Sequence, residues 1–288
     1  MIRQNFNADW TVEKGDGNSR MNSFLGNTQT KTVHLPYDAM IHEARTPDTK
    51  NGAQTGFYPG GEYIFQKHFT APQAWQGKPV SLVFEGVYQT ALVYLNGWLL
   101  TRNVNGYAEF TVEAGPYLKY GADNLLKVIA DNSLEPNSRW YTGSGIYRPV
   151  RLLVGNKVYL PQDTVRITTR EADEGFALLD VTAQVQSAST VTERVTLQQT
   201  ICREGTAVLT DRQNLLLQPG ESRTVSFRYC VDSPALWSPE NPNLYTSTMQ
   251  VLEGEEELDR EETGFGIRTL SIDAAHGVRI NGQTVKLR

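Results

Sequence analysis

The sequence predicts an all-β protein made of two consecutive β-sandwiches. Short apolar and alternating runs follow one another along the 288-residue chain. Turn signals separate these runs at the spacing of about 8–12 residues that is typical of sandwiches and barrels. No apolar period of 3.6 residues is sustained in the first half of the chain, so we expect helix to be nearly absent.

The composition favours a folded protein with sizeable cores and argues against two classes of partner. Hydrophobic residues make up 39% of the chain, and the formal net charge is −5 without a basic cluster. Nucleic acid and membranes are therefore not expected partners. No apolar run approaches the roughly 20 residues that span a bilayer, and the sequence begins with polar residues rather than a signal segment. We therefore expect a cytoplasmic location.

The cysteines and histidines do not predict a metal site. Cys202 and Cys230 are the only cysteines. They are predicted to be free and buried, with pairing between two strands as the alternative. None of the histidines has the spacing to a cysteine or to a second histidine that a zinc site requires. We expect no cofactor in this chain.

The first strands of the chain are short and are followed by a long connection. Residues 5–12 alternate and predict an opening strand. Residues 33–38 predict a short strand that stops at Pro36, because proline cannot donate to a sheet ladder. The polar connection 43–57 is long for a compact domain, and such loops are usually functional or mobile.

A turn rich in glycine and proline, which includes Tyr58, precedes an alternating strand over 62–69. Asn96-Gly97 lies between two apolar runs and predicts a tight hairpin, since both residues tolerate positive φ. Further strands of the first sandwich are predicted over 80–87, 110–112, 124–130 and 148–154.

The segment 137–148, NSRWYTGSGIYR, is the most distinctive of the sequence. Its arginines and aromatic residues offer fork-shaped donors and flat faces, and Gly143 and Gly145 permit unusual backbone conformations. Such a combination suits either a corner of a β-fold, which the residues alone favour, or a surface that contacts sugar hydroxyls.

The run RWYTGSGIYR at 139–148 resembles the R-W-Y-S-G-[SA]-G-I-Y-R signature of glycoside hydrolase family 2. The phrases VHLPYD at 33–38 and LVYLNGWLL at 92–100 are similar to other segments of that family. The resemblance implies that the first domain, residues 1–158, is a jelly-roll sandwich of the galactose-binding type. Pro36-Tyr37-Asp38 and the Tyr58 turn are more similar to β-galactosidases than to β-glucuronidases.

The second half predicts a smaller sandwich after a boundary near Leu160-Pro161. Its strands are predicted over 164–169, 176–185, 191–201, 223–230 and 244–252. About seven strands in roughly 100 residues is the size of an immunoglobulin-like sandwich, assigned here to 162–268. The phrase WSPENPNLY at 237–245 resembles a segment of the family's second domain, in which we expect a buried Trp237 to cap the sandwich. Acidic residues 253–259 predict a solvated hairpin end.

The last predicted element is a second Asn-Gly hairpin over 269–288. The resemblance implies that such a hairpin leads into a (β/α)8 barrel, which supplies the two catalytic glutamates of the family. Retaining glycosidases need two carboxylates about 5 Å apart, and this sequence lacks the asparagine-glutamate pair of the family's acid/base. We therefore expect the 288-residue chain alone to be inactive, and any divalent metal of the parent enzyme to lie in the barrel.

Two functions follow from these observations. The first is the N-terminal, non-catalytic portion of a retaining exo-β-glycosidase of the β-galactosidase type. Its expected partners are a β-galactoside or related oligosaccharide, its own catalytic barrel, and further copies of the full-length protein in a homo-oligomer. The alternative is a free-standing carbohydrate-binding or interaction module of two β-sandwiches. The terminal hairpin favours the first function, because a complete module has no use for a hairpin that leads into a barrel.

The resemblance also implies which residues reach the sugar pocket of the parent enzyme. Carried onto this sequence, the pocket rim is formed by Asn137, Ser138 and Arg139, with Tyr58 from the preceding turn. These residues are predicted to share one exposed end of the first sandwich. Trp140, Ile146 and Arg148 are predicted to hold the loop rather than to contact sugar.

Overall fold

The computed structural model describes residues 1–15, 30–134 and 138–286. The chain divides into two compact units, Ile2–Val154 and Gly155–Arg288, the latter together with Met1. The described residues contain many β-strands and only short 3₁₀ turns, as the sequence predicts. No helix among them is long and apolar enough to cross a membrane.

The first unit is a β-sandwich of a four-stranded and a six-stranded sheet. Its strands are β1 Ile2–Asn5, β2 Trp10–Lys14, β3 Lys31–Val33, β4 Gly61–Thr70, β5 Val80–Phe84, β6 Thr90–Leu95, β7 Trp98–Asn103, β8 Phe110–Glu113, β9 Asp123–Asn132 and β10 Val150–Val154. The sheet orders are β1-β10-β5-β8 and β3-β2-β4-β9-β6-β7, with antiparallel pairing between neighbours. Apolar residues from both sheets, including Trp10, Phe65, Phe84 and Leu152, are fully buried between them.

The prediction of one opening strand over 5–12 is wrong, because the structure has two separate strands there, β1 and β2. β1 pairs with β10 in the four-stranded sheet, whereas β2 pairs with β3 and β4 in the other. The chain crosses between the sheets at residues 6–9, where Asp9 has φ +55°. Alternation along 5–12 does not reveal this crossing, since Phe6, Trp10 and Val12 are all buried in the same core.

The tight hairpin predicted at Asn96-Gly97 is confirmed. β6 and β7 flank it, and both turn residues have positive φ, +52° and +91°. Such a turn follows the right-handed twist of its strands, which is why Asn-Gly favours it. This hairpin lies at the opposite end of the sheet from Thr90, the first residue of β6, which pairs with Asp131 near the end of β9.

The second unit contains two four-stranded sheets around one core. Its strands are β11 Val158–Tyr159, β12 Arg166–Ala172, β13 Phe176–Ser187, β14 Glu193–Arg203, β15 Thr206–Leu217, β16 Ser222–Asp232, β17 Tyr245–Glu253 and β18 Glu256–Phe265. β13 pairs with β11 and β12 on one edge and with β16 on the other, and the second sheet has the order β15-β14-β17-β18. Apart from the short β11, these seven strands have the arrangement of an immunoglobulin-like sandwich.

The division between the units lies earlier than the boundary predicted near Leu160-Pro161. Val158 and Leu160 are fully buried in the second core, and β11 pairs with β13. The proline that suggested a linker therefore follows a strand of the second sandwich. Local sequence does not indicate which of the two cores will bury Val158 and Leu160.

Two further expectations about the second unit need correction. β15 is absent from the predicted strands, because only Leu215 and Leu217 near its end are buried and most of its other residues are exposed. Trp237 is half-buried rather than buried, and the Arg268 guanidinium lies 4.2 Å from the centre of its ring.

A small three-stranded sheet ends the described chain. β19 Leu270–Asp273, β20 Gly277–Ile280 and β21 Gln283–Thr284 pair in that order. Asn281 and Gly282 connect the last two strands with φ +50° and +76°, which confirms the second Asn-Gly hairpin. Cys202 and Cys230 of this unit are free, as predicted, but Cys202 is half-buried and Cys230 is exposed, so the prediction that both are buried is wrong.

Candidate functional site

Three connections of the first sandwich meet at one end of its six-stranded sheet. They are the connection before β4, the connection before β6 and the connection after β9. These three meet because the first residues of β4 and β6 pair with the last residues of β9, Gly61 with Asn132 and Thr90 with Asp131. We call this end the loop end and define it by residues 34–60, 85–89 and 138–149. It contains all the described residues that the sequence assigns to a sugar site.

The carboxylate of Asp38 organises the loop end. Its Oδ2 accepts a hydrogen bond from the Tyr141 hydroxyl. Its Oδ1 accepts from the backbone N–H groups of Ser144, at 2.9 Å, and Met40, at 3.1 Å. Charge-assisted bonds of this kind are the stronger ones in proteins. Asp38 therefore ties the connection before β4 to the connection after β9.

Backbone pairing continues the attachment on both sides of Asp38. Tyr37 N–H donates to Ile146 O and Ala39 N–H donates to Ser144 O, both at 2.8 Å. Gly145 exchanges two hydrogen bonds with Tyr88, of 2.9 and 3.0 Å. Segment 144–146 is therefore held between two other connections, as a strand would be within a sheet.

The glycines of the signature are required by this close approach. A Cβ on Gly143 would lie 2.7 Å from Asp38 Oδ2. A Cβ on Gly145 would lie 2.7 Å from the carbonyl oxygen of Tyr37, and Gly145 also has φ +134°. Real Cβ atoms do not approach so closely, and side-chain-bearing residues rarely adopt such a φ.

Tyr58 lies in the same group of side chains. Its ring centre is 5.1 Å from that of Tyr141, with the planes at 60°. The Arg45 guanidinium lies 5.9 Å from the centre of the Tyr58 ring and donates from Nε to Gly56 O at 2.9 Å. The turn that contains Tyr58 is therefore packed against the segment that follows β9.

Burial and acidic neighbours suppress ionisation of Tyr141 at the loop end and of Tyr63 on the adjoining strand β4. Burial, and then the hydrogen bond to Asp38, raises the pKa of Tyr141 well above its usual range. Burial, and then a 2.8 Å hydrogen bond to Glu43 Oε1, does the same to the pKa of Tyr63. Glu43 also forms an ion pair with Lys14. Both tyrosines thus act as neutral donors that hold carboxylates in place.

The predicted rim residues are partly placed by these contacts. Asn137 lies outside the described residues. Ser138 is half-buried, and its hydroxyl donates to the carbonyl oxygen of Trp140 and accepts from the Trp140 N–H at 3.3 Å. Arg139 is exposed and Tyr58 is half-buried. The predicted rim residues Ser138, Arg139 and Tyr58 therefore belong to the loop end.

The predicted anchors of the loop separate into three different cases. Ile146 is fully buried, which confirms its structural role. Arg148 is exposed, with its guanidinium 5.5 Å from the centre of the Tyr147 ring. Trp140 is 67% exposed, so the prediction that it anchors the loop is wrong. The hydroxyl of Tyr141 and the backbone of Ser144 supply the attachment instead.

Asp38 and Tyr141 both lie within the sequence motifs, but the motifs alone indicate no role for either residue. Asp38 and Tyr141 are 103 residues apart in sequence, and only the fold brings them together. The signal was present in the neighbouring glycines, which indicate a close approach without naming the partner. Because the oxygens of Asp38 accept three hydrogen bonds, the arrangement is suited to holding a loop rather than to proton transfer.

No group of three or more potential metal ligands occurs among the described residues. The loop end instead combines loops held by hydrogen bonds, the exposed guanidinium of Arg139, and the packed rings of Tyr58 and Tyr141.

Comparison with known proteins identifies the class of protein to which this fold and this loop end belong. Residues 10–177 match a family model described as glycosyl hydrolase 2 galactose-binding domain-like, and residues 158–268 match one described as glycosyl hydrolases family 2. The class is thus the β-sandwich portion of glycoside hydrolases. The chain belongs to glycoside hydrolase family 2.

Relatives of this chain are much longer than the chain itself. The beta-galactosidase BoGH2A of Bacteroides ovatus is 34% identical over 99% of this chain, which spans 34% of that protein. A beta-glucuronidase of Formosa agariphila is 26% identical over 98% of this chain, which spans 31% of it. The crystal structure of a glycosyl hydrolase family 2 member from Bacteroides cellulosilyticus has a TM-score of 0.91 and 30% identity, covering 100% of this chain and 38% of the other.

Proposed function

We propose that this chain is the N-terminal, non-catalytic portion of a retaining exo-β-glycosidase of the β-galactosidase type. The observation that carries the proposal is the match of nearly the whole chain to about a third of a beta-galactosidase. The proposed substrate is a β-galactoside or a related oligosaccharide. The remaining part of the parent protein is proposed to hold the catalytic barrel and its two carboxylates.

The loop end is proposed to contribute one side of the sugar pocket of the parent enzyme. Arg139 is exposed and offers a fork of donors to sugar hydroxyls. Tyr58 is held against Tyr141 and supplies part of an aromatic wall. Asn137 is included in the proposal only because it lies in the loop just before the signature at 139–148. Attachment of Tyr141 and Ser144 to Asp38 supports the proposal, because a rigid loop loses little entropy on binding.

The experiment compares this chain with the full-length protein on 4-nitrophenyl β-D-galactoside and the corresponding β-glucuronide. We expect the full-length protein to hydrolyse the galactoside with retention of configuration and the 288-residue chain to hydrolyse neither substrate. Faster hydrolysis of the glucuronide would contradict the galactosidase assignment. Tight binding of an oligosaccharide by this chain alone, without any active longer form, would instead support a free-standing binding module.

We also propose that the parent enzyme is cytoplasmic and homo-oligomeric. The free cysteines Cys202 and Cys230 support a reducing compartment. Exposed Trp98 and Leu99 on β7, the edge strand of the six-stranded sheet, support a contact between copies. Cell fractionation and analytical ultracentrifugation of the full-length protein test these two proposals separately.

A further inference from the structure

Trp140 exposes its ring although the residue that follows it is attached to another segment of the domain and a local hydrogen-bonded turn precedes it. The side chain is 67% exposed. On one side, the Ser138 hydroxyl bonds both backbone groups of Trp140. On the other side, Tyr141 donates to Asp38 and packs against Tyr58. A large aromatic side chain presented to solvent from a fixed backbone is the arrangement expected of a preorganised binding residue.

The bonds of Ser138 restrict what its own side chain can do. A serine hydroxyl has one hydrogen to donate and two lone pairs to accept with. The hydrogen is used in the bond to the Trp140 carbonyl, and one lone pair receives the Trp140 N–H. Ser138 can therefore accept one further bond but cannot donate to a sugar in this conformation. Its main effect is on the position of Trp140.

We propose that Trp140 is a stacking platform for the pyranose ring of the glycoside and that Ser138 is the positioning residue that presents it. The inference rests on the proposed function, since that function makes a sugar the ligand. One face of a pyranose carries a patch of C–H groups, which packs on an indole ring while the hydroxyls at its edge remain free for donors. The adjacent Arg139 is exposed and supplies such donors.

The surroundings of Trp140 favour a sugar over a second protein surface as the occupant. Its chain neighbours are the exposed Arg139 and Tyr141, whose hydroxyl is already bonded to Asp38. Trp98 is equally exposed, at 66%, but it lies at the other end of the sheet beside the exposed Leu99. An apolar pair of that kind is suited to protein contact, whereas an aromatic ring beside a charged fork is suited to a ligand with apolar and polar faces.

The test uses the full-length enzyme with Trp140→Ala, Trp140→Phe and the matched control Trp98→Ala. For Trp140→Ala we expect KM for the galactoside to rise about tenfold, the effect of losing one good aromatic contact. We expect kcat to stay within about twofold, because stacking stabilises the bound ground state and the transition state alike. Trp140→Phe should recover part of the loss, and Trp98→Ala, compared at the same oligomeric state as the wild type, should leave KM unchanged. An unchanged KM in Trp140→Ala, or a lowered unfolding midpoint with normal kinetics, would show that the ring packs on protein and would overturn the proposal.

Ser138→Ala tests the positioning role. We expect KM to rise by about threefold, less than in Trp140→Ala, because the ring remains but is less well held. In the double variant Ser138→Ala/Trp140→Ala, KM should equal that of Trp140→Ala alone. Additive effects would show that Ser138 acts on the substrate directly and would refute its role through Trp140.

A binding measurement separates failure of this inference from failure of the proposed function. Tryptophan fluorescence of the full-length protein is recorded with and without saturating methyl β-D-galactoside, in the wild type and in Trp140→Phe. A sugar-dependent change that Trp140→Phe abolishes supports the platform even if the protein hydrolyses no glycoside. Hydrolysis with normal KM and an unaltered fluorescence change in Trp140→Phe supports the function and overturns the platform. Absence of both hydrolysis and a fluorescence change contradicts both.

Discussion

The hydroxyl of Tyr141 donates a hydrogen bond to the carboxylate of Asp38, although 103 residues separate them in sequence. This bond joins the connection that follows β3 to the connection that follows β9. Both connections would otherwise be long loops at the surface, where mobility is the usual outcome. The bond and the glycines around it give the loop end a defined shape before any ligand is bound.

Replacing Tyr141 with phenylalanine should destabilise the first sandwich. The change removes a hydrogen bond to a charged group, which is worth roughly 1–3 kcal/mol in free energy of unfolding. Urea unfolding of the 288-residue chain measures the effect. Tyr117→Phe is the control, because Tyr117 is partly exposed at the opposite end of the sheet, and it should change the stability by less than about 0.5 kcal/mol. Equal effects of the two variants would contradict the importance of the Asp38 bond.

Gly145→Ala should be more destabilising than Gly61→Ala. Both glycines have positive φ, +134° and +112°, so both substitutions impose backbone strain. A Cβ on Gly61 meets nothing within 4 Å, whereas one on Gly145 would lie 2.7 Å from Tyr37 O. The difference in unfolding free energy should therefore be about 1–3 kcal/mol, the usual cost of overpacking. Matching losses would indicate that φ alone requires glycine at 145.

Stability of the second sandwich should fall in acid partly because of Asp180. Arg228 and then Arg170 lower the pKa of this carboxyl to about 2. Asp180 lies on β13, beside Arg228 on β16, with Nε–Oδ1 at 2.7 Å. Since the folded pKa lies below the unfolded value of about 3.9, the contribution is fully present above pH 4 and is lost as pH falls towards 2.

Asp180→Asn should therefore flatten the pH dependence of the second sandwich between about pH 4 and 2. Thermal unfolding of the two proteins over this range measures the difference. Glu255→Gln is the control, since Glu255 is an exposed turn residue next to Gly254. A pH profile of Asp180→Asn that coincides with that of the wild type would show that the arginines do not act through this carboxylate.

Asn281→Gly should loosen the terminal three-stranded sheet from the second sandwich. Asn281 Nδ2 donates to Trp237 O, and Asn281 Oδ1 accepts from the Thr269 N–H, both at 3.0 Å. Glycine keeps the positive φ of the turn but loses both bonds, so amide exchange over 269–286 should accelerate about tenfold.

The same substitution in the other Asn-Gly turn is the control for this experiment. Asn96→Gly should leave exchange over 269–286 unchanged, because within the described residues the Asn96 side chain bonds to Tyr117, Asn124 and Leu125 of the first sandwich. Unchanged exchange in Asn281→Gly would mean that backbone pairing alone holds the terminal sheet.

Elements with strong local signals could be predicted from sequence. Both Asn-Gly hairpins form as expected, because the preference for positive φ is a property of the two turn residues themselves. β4 keeps its two predicted faces, with Tyr63 and Phe65 in the main core of the sandwich and Ile64 in a separate apolar cluster, so both faces are buried at this place. The edge strand β15 could not be predicted, because few of its side chains are buried and its sequence carries no period.

The candidate site, too, could be predicted from sequence only in part. The signature at 139–148 located the loop, and its glycines indicated close packing. Sequence could not show that Asp38 is the partner, that Trp140 is exposed, or that the Ser138 hydroxyl is engaged by Trp140. Each of these depends on which segments meet in space, and contacts between distant segments leave no local pattern.

The sequence by itself therefore determined the all-β class, the turns and the family, since these follow from residue preferences and from one uninterrupted motif. Tertiary structure alone decided where the two units divide, which side chains hold the loop end and which remain available to a ligand. The physical reason is that burial and hydrogen bonding at 34–60, 85–89 and 138–149 are properties of three segments together. Trp140 and Asp38 could only be assigned once those partners were known.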